Sequence, residues 1–199
     1  MAGPPPLPDK LTPYPVIANI EFAEGPIFDD HGNLYFVNYM KRGTLGRMSP
    51  DGMVAVWVHT GGVANGLKYD GRGNIVAADH GSKRVTRFNT LTRAMEVLTE
   101  IYEGHPYGGP NDVCLDLNGN IYFTDPGGSS PENPIGGIYR IDMDANNRLT
   151  GVKQIEESQV FPNGLAVHPD GKRFYFANSW LNQIVGYDLA SDGNLSNRH

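Results

Sequence analysis

Several features that mark other classes of protein are missing from this chain of 199 residues. A single cysteine, Cys114, excludes an internal disulfide framework and a zinc site built from cysteines. No apolar run approaches the roughly 20 residues that a membrane-spanning helix needs. The N-terminus has neither the basic segment nor the apolar segment of a signal peptide, so we expect a cytoplasmic protein.

Basic residues and helical patterns are also scarce. The chain has 16 Lys and Arg against 22 Asp and Glu, a net charge of −6, and it lacks a basic stretch. We therefore expect neither a nucleic acid nor a membrane as a partner. Sustained helical periodicity is absent, which disfavours an α/β fold. No Gly-x-Ser-x-Gly motif is present, which disfavours a serine esterase.

The chain instead contains an internal repeat. Four segments share a short alternating apolar run, a turn that contains glycine, and a second run rich in Val, Ile, Tyr and Phe. That pattern is typical of a β-hairpin. The four segments are residues 24–38, 65–79, 111–125 and 163–178. Further strands are predicted at 44–49, 53–58, 84–89, 94–99, 137–143, 151–155 and 183–189. Four strands in each period of roughly 40–50 residues indicate a β-propeller.

The number of units predicts an open ring. The fourth unit lacks most of its outer strand, and residues 15–22 are predicted as an extra strand before the first unit. The sequence thus predicts a proline-rich tail at 1–12 and an incomplete propeller domain at 13–199, all-β, with about four blades of a larger ring. Open blade faces and strand edges favour pairing between chains, so self-association is expected.

A functional site is predicted where the innermost strands begin. In a propeller these strands line a central channel, so the residues at their starts converge. We name Glu24, Asn65, Asn111 and Asn163 the entrance residues. One carboxylate and three carboxamides offer hard oxygen ligands, which suit Ca²⁺ or Mg²⁺, with Mn²⁺ or Zn²⁺ as substitutes. The alternative interpretation is that Asn-Gly makes a turn into each strand. It would account for Asn65 and Asn163, but not for Glu24 or for Asn111, which Asp112 follows.

Several motifs, in order along the chain, resemble the SMP-30/gluconolactonase/LRE-like family. They are Glu-Gly-Pro at 24–26, Pro-Asn-Asp-Val at 110–113 with Tyr-Phe-Thr-Asp-Pro at 122–126, and Pro-Asn-Gly-Leu-Ala at 162–166. Residues 79–81 with 84–87 are similar to the bacterial lactonase branch. The resemblance implies a six-bladed propeller with one divalent cation, typically Ca²⁺, and hydrolysis of sugar lactones such as glucono-1,5-lactone. It also implies that related proteins hydrolyse organophosphates.

The resemblance assigns roles to individual residues. It implies that Glu24 and Asn163 bind the metal and that Asn111 binds the metal or the substrate beside it. The family's remaining ligand and general base is an Asp from a later motif, which this sequence does not contain, so impaired activity is expected. Animal members carry an Arg two residues before the Asn that Asn111 matches, where this chain has Gly109.

A second set of equivalent positions ends the second strand of each unit. It comprises Asn38, Asp79, Asp125 and Asn178. One interpretation gives these residues a role in the site, and the other has them bond loop backbone. Asp125, before Pro126-Gly-Gly, is predicted with Asn111 as catalytic. Asn65 and His80 are predicted with Asn111 to bind substrate, and the alternative for His80 is that its ring orders a loop. Cys114 is predicted to be a core residue.

Two functions from different classes follow. The first is metal-dependent hydrolysis of a lactone, with a cation that polarises the carbonyl group and a carboxylate that activates water. The second is a non-catalytic propeller that binds a ligand or partner and uses the cation for stability. Hydrolysis of an organophosphate or another ester in the same site is a third alternative.

Overall fold

The protein is a succession of antiparallel strands. The computed structural model describes residues 14–199, and the predicted tail at 1–12 lies outside them. The strands of the first sheet are β1 (Ile27–Phe28), β2 (Leu34–Val37), β3 (Thr44–Met48) and β4 (Val54–His59). Those of the second sheet are β5 (Ala64–Tyr69), β6 (Asn74–Asp79), β7 (Arg84–Asn89) and β8 (Met95–Thr99).

The later strands repeat this plan after a small hairpin. The hairpin, which was not predicted, pairs β9 (Ile101–Tyr102) with β10 (His105–Pro106). The third sheet contains β11 (Val113–Leu115), β12 (Ile121–Asp125), β13 (Gly136–Met143) and β14 (Leu149–Gln159). The fourth contains β15 (Pro162–Val167), β16 (Arg173–Asn178), β17 (Gln183–Leu189) and β18 (Leu195–Ser196). In all four sheets, consecutive strands are neighbours.

The first strand of every sheet borders one common channel. Residues 24–27, 65–68, 111–113 and 163–165 line a single cavity. Four sheets whose innermost strands meet around one axis form blades of a propeller, so the all-β prediction and the number of blades are confirmed. The pairing of chains through the outer blades stays a prediction.

One predicted strand is wrong. Residues 15–22 form no ladder with another strand, and the segment makes one isolated bridge, between Ile20 and Tyr39. Asn19 has a left-handed backbone (φ 61°), which interrupts the extended conformation that a strand requires. The fourth blade agrees with the prediction, because its outer strand β18 is only two residues long.

The inner hairpin turns of the first three blades share one set of hydrogen bonds. The Asp29 carboxylate accepts hydrogen bonds from the backbone N–H groups of His31 and Asn33, both at 2.9 Å, and from the Asn33 side chain at 2.8 Å. Asp70 and Asp116 make the same three kinds of bond in the next two blades. Such local bonds fix the turn and therefore the register of these three inner hairpins.

Apolar side chains fill the spaces between adjacent blades. Tyr35 and Trp57 of the first blade meet Phe88 of the second in one cluster. Two further clusters join the second blade to the third and the third to the fourth. Burying a large side chain of this kind stabilises a fold by about 1.5–3 kcal/mol. The blades thus hold one another in place, and this fixes the positions of their inner strands. Within the described residues, no helix is long and apolar enough to span a bilayer.

Candidate metal and substrate site

The four entrance residues form the boundary between two cavities. One cavity, which we call the upper cavity, has a volume of about 360 Å³ and opens on the side of the strand starts. The other, of about 340 Å³, runs along the inner strands. All four entrance residues line both cavities, so the structure brings the predicted set together. Asn111 is 8% exposed, Asn65 and Asn163 are half-buried, and Glu24 is more open.

The alternative interpretation, in which Asn-Gly makes turns, is wrong. Asn65-Gly66 lies inside strand β5 and Asn163-Gly164 lies inside strand β15. Both strands shift register against their partners at these residues, as at a bulge. A bulge re-aims side chains next to a site, which is how Asn65 and Asn163 come to line the cavities.

Asp112 is a channel residue that the sequence analysis missed. Its carboxylate accepts hydrogen bonds from the backbone N–H of Val113 at 2.9 Å and of Leu165, in the next blade, at 3.3 Å. Burial raises the pKa of the Asp112 carboxyl above its usual value, and the charge of Glu24 adds to that rise. The available signal was the sequence itself, because Asp112 follows an entrance residue where the second and fourth units have glycine.

The donor set fits a hard divalent cation. No group of three or more His, Cys, Asp or Glu side chains lies together in residues 14–199, so cysteine- or histidine-rich metal sites are absent there. The entrance residues instead offer carboxylate and amide oxygens, the ligands that Ca²⁺ accepts. Glu24 and Asp112 also place two like charges near each other, which a cation would offset.

His80 lines the upper cavity beside Gly109. The Nδ1 atom of His80 lies 3.4 Å from the carbonyl oxygen of Gly109. A Cβ atom at position 109 would lie 2.5 Å from that same Nδ1 atom. The His80 ring therefore occupies the space into which a longer side chain at position 109 would extend.

The residues that end the second strands bond loop backbone. Asp125 accepts hydrogen bonds from the N–H groups of Gly108 at 2.7 Å and Gly109 at 2.6 Å. Asp79 accepts one from Val63 at 2.7 Å, and Asn178 accepts one from Val160 at 3.0 Å. Asn38 instead donates one to the carbonyl oxygen of Phe22 at 3.2 Å. Each partner lies two or three residues before an entrance residue, so these side chains fix the segments that lead into the site.

Asp125 lies behind the wall of the site. Asp125 lines neither cavity, and the residue is 6% exposed. Burial raises the pKa of the Asp125 carboxyl, although the N–H groups of Gly108 and Gly109 act in the opposite direction. These contacts favour a positioning role over contact with a substrate. The catalytic role of Asp125 stays a prediction.

Cys114 packs in the core between the third and fourth blades, 3% exposed. Burial raises the pKa of its thiol far above the usual range, so the thiolate that a nucleophile requires is disfavoured. The structure agrees with the predicted core role of this residue.

The fold and this site define a class of propeller with a polar centre, and comparisons place the chain within it. Residues 22–199 match the model of the SMP-30/Gluconolactonase/LRE-like region, so the chain belongs to that family. A gluconolactonase of Zymomonas mobilis is 29% identical over 93% of this chain and 57% of its own length.

Solved structures support the fold. A gluconolactonase from Xanthomonas campestris superposes with a TM-score of 0.78 at 23% identity, over 92% of this chain and 63% of its own. The calcium-binding protein regucalcin from Agrobacterium tumefaciens superposes with a TM-score of 0.71 at 18% identity, over 92% and 59%. The chain thus spans about three-fifths of the length of these relatives.

Proposed function

We propose that the chain hydrolyses a small sugar lactone in the upper cavity with the help of a divalent cation. The observation that carries this proposal is the convergence of four oxygen-bearing side chains at the base of one cavity. A cavity of about 360 Å³ is of the size that small-molecule ligands occupy. The gluconolactonase of Zymomonas mobilis, a relative by sequence, supports the substrate class.

The entrance residues would hold the cation. Glu24, Asn111 and Asn163 would supply oxygen ligands, and Ca²⁺ is the ion that we propose, with Zn²⁺, Mn²⁺ or Mg²⁺ as substitutes. The calcium-binding neighbour from Agrobacterium tumefaciens supports this choice. A bound divalent cation supplies a Lewis acid that polarises an ester carbonyl.

The other residues would bind and orient the lactone. Asn65 and His80 line the cavity and can hydrogen-bond sugar hydroxyl groups, and Asn111 adds an amide beside them. Asp125 would act indirectly, because its bonds to Gly108 and Gly109 fix the segment that leads into Asn111. We therefore propose Asp125 as a positioning residue.

We propose that turnover by this chain is slow. Within the described residues, the only carboxylates that line the two cavities are Glu24 and Asp112. Asp112 already accepts two backbone hydrogen bonds, and Glu24 is assigned to the cation. Asp112 does not line the upper cavity, so among the described residues that cavity offers no carboxylate besides Glu24 to take a proton from an attacking water, which is the role of a general base.

Hydrolysis of glucono-1,5-lactone by the purified chain tests the proposal. Acid release is followed at constant pH with Ca²⁺, with Zn²⁺ or with EDTA, in the wild type and in Glu24→Gln. Glu100→Gln removes the same charge at an exposed residue outside both cavities and is the matched control.

Cation-dependent hydrolysis that Glu24→Gln loses and Glu100→Gln keeps would support the proposal. Folded chain that binds Ca²⁺ but hydrolyses no lactone would overturn it and favour the non-catalytic propeller. A parallel assay with a phosphotriester separates lactone hydrolysis from the third alternative, because preference for the phosphotriester would contradict the proposed substrate.

A further inference from the structure

Phe161 has a backbone conformation that bulky residues rarely adopt. Its φ angle is 53°, in the left-handed region, where the Cβ atom crowds the following carbonyl oxygen. Among the described residues other than glycine, several with positive φ are asparagines, which tolerate this region, and Phe161 is the only aromatic one. It is also the only one of them that lines the upper cavity.

Hydrogen bonds on both sides hold this conformation. The N–H of Phe161 donates to the Ser129 Oγ atom at 3.4 Å, and its carbonyl oxygen accepts from the N–H of Ser179 at 3.1 Å. The preceding N–H, of Val160, donates to the Asn178 side chain at 3.0 Å. Strained residues persist where the surroundings over-determine them, and they cluster at functional sites.

Phe161 lines the upper cavity, and its ring stacks on that of Trp180. The two rings stack with centroids 4.9 Å apart and planes within 4°. Phe161 precedes the entrance residue Asn163 by two positions, and both residues line the upper cavity. Phe22, Val63 and Gly109 occupy the equivalent places in the other units. None of those three has an aromatic ring stacked behind it.

We infer that Phe161 determines specificity by stacking on the non-polar face of a cyclic ester. This inference rests on the proposed function, whose site it deepens. The face of an aromatic ring is negative and attracts the polarised C–H hydrogens of a sugar ring. A six-membered lactone presents such a face as a unit, whereas the open-chain hydroxy acid formed by hydrolysis does not. Phe161 therefore favours the cyclic substrate over its own product.

Binding of a lactone analogue that does not turn over tests the inference. Glucono-1,5-lactam keeps the six-membered ring and resists hydrolysis, and sodium gluconate is the open-chain counterpart. Isothermal titration with each probe gives affinities in wild type, Phe161→Gly and Phe161→Leu. Fluorescence offers a second readout, because Trp180 is 52% exposed and stacks on Phe161 while Trp57 is buried.

Phe161→Gly should weaken lactam binding by about fivefold to tenfold, the range that a stacking interaction provides, and should leave gluconate binding unchanged. Phe161→Leu keeps apolar bulk without the flat ring and should weaken lactam binding less. Glycine also relieves the left-handed strain at position 161, while it removes the ring that packs on Trp180. Glu103→Gly is the matched control. It relieves the same kind of backbone strain at an exposed left-handed residue (φ 50°) outside both cavities and should leave the lactam affinity unchanged.

The outcomes separate this inference from the proposed function. Lactam binding that is selective over gluconate and lost in Phe161→Gly supports the inference, even where the wild type hydrolyses no lactone. Equal lactam affinity in wild type and Phe161→Gly overturns it, even where the chain is an active lactonase. Wild type that binds the lactam no better than gluconate also overturns it.

Discussion

The backbone N–H of Gly66 donates a hydrogen bond to the carbonyl oxygen of Asn111 over 2.8 Å. This bond links the inner strand of the second blade to the segment that leads into the inner strand of the third. A Cβ atom at position 66 would lie only 2.6 Å from the Cα atom of Asp112. The close approach of two entrance residues, Asn65 and Asn111, therefore depends on the absence of a side chain between them.

Gly66→Ala should destabilise the fold and separate the entrance residues. The added methyl group meets backbone, which cannot move aside cheaply, so we expect a loss of about 1–3 kcal/mol in the free energy of unfolding. Gly164→Ala is the matched control, because a Cβ atom there would meet Asp112 Oδ2 at 3.8 Å, an ordinary contact. Urea unfolding of both variants measures the difference. Equal stability would contradict the close packing of the inner strands.

Two variants of Asp125 test whether its carboxylate holds the segment at Gly108 and Gly109 in place. Asp125→Ala leaves the buried N–H groups of Gly108 and Gly109 without their acceptor, which should cost about 2–4 kcal/mol. Asp125→Asn keeps one acceptor oxygen for one glycine N–H, but its amide NH2 group faces the other, so it should cost less than Asp125→Ala, about 1–2 kcal/mol. Urea unfolding at pH 7 gives both values. A loss as large in the Asn variant as in the Ala variant would contradict the positioning role.

The raised pKa of Asp125 predicts how this difference changes with pH. Because burial makes the folded-state pKa higher than the unfolded value near 3.8, the folded chain binds this proton more tightly. The contribution of Asp125 to stability therefore rises as the pH falls through the folded-state pKa toward 3.8, and declines as the pH increases. Subtracting the unfolding free energies of Asp125→Asn from those of the wild type between pH 7 and pH 4 isolates this effect. If the wild type instead lost stability relative to Asp125→Asn as the pH falls, the predicted direction of the effect would be wrong.

The blades were predictable because their signals are local. Each inner hairpin alternates apolar and polar residues and turns at a glycine, and the turn carboxylates of Asp29, Asp70 and Asp116 bond residues within four positions. Repetition then placed the entrance residues at equivalent points, so their meeting around one channel followed from the propeller geometry.

The remaining features depend on contacts that no local pattern encodes. Asp112 lies in the channel because its carboxylate reaches Leu165 in the next blade, 53 positions later. The Phe161 ring is oriented by Trp180 and by a hydrogen bond from its N–H to Ser129. Conversely, residues 15–22 have the composition of a strand, yet the left-handed backbone of Asn19 prevents a continuous strand from forming there. Tertiary contacts overrule propensity at these places.

Removal of the Glu24 charge is the most direct test of the cation site. Glu24 supplies the only carboxylate among the entrance residues, so Glu24→Gln should weaken Ca²⁺ binding by at least about tenfold, or about 1.4 kcal/mol. Calorimetric titration measures the affinity. A cation that binds the folded chain at about 100 times its dissociation constant should also stabilise it by about 2.7 kcal/mol, and EDTA should reverse this gain. Glu100→Gln should behave as the wild type. An unchanged Ca²⁺ affinity in Glu24→Gln would rule out the proposed cation site, since the three remaining amide groups bear no charge to hold the ion.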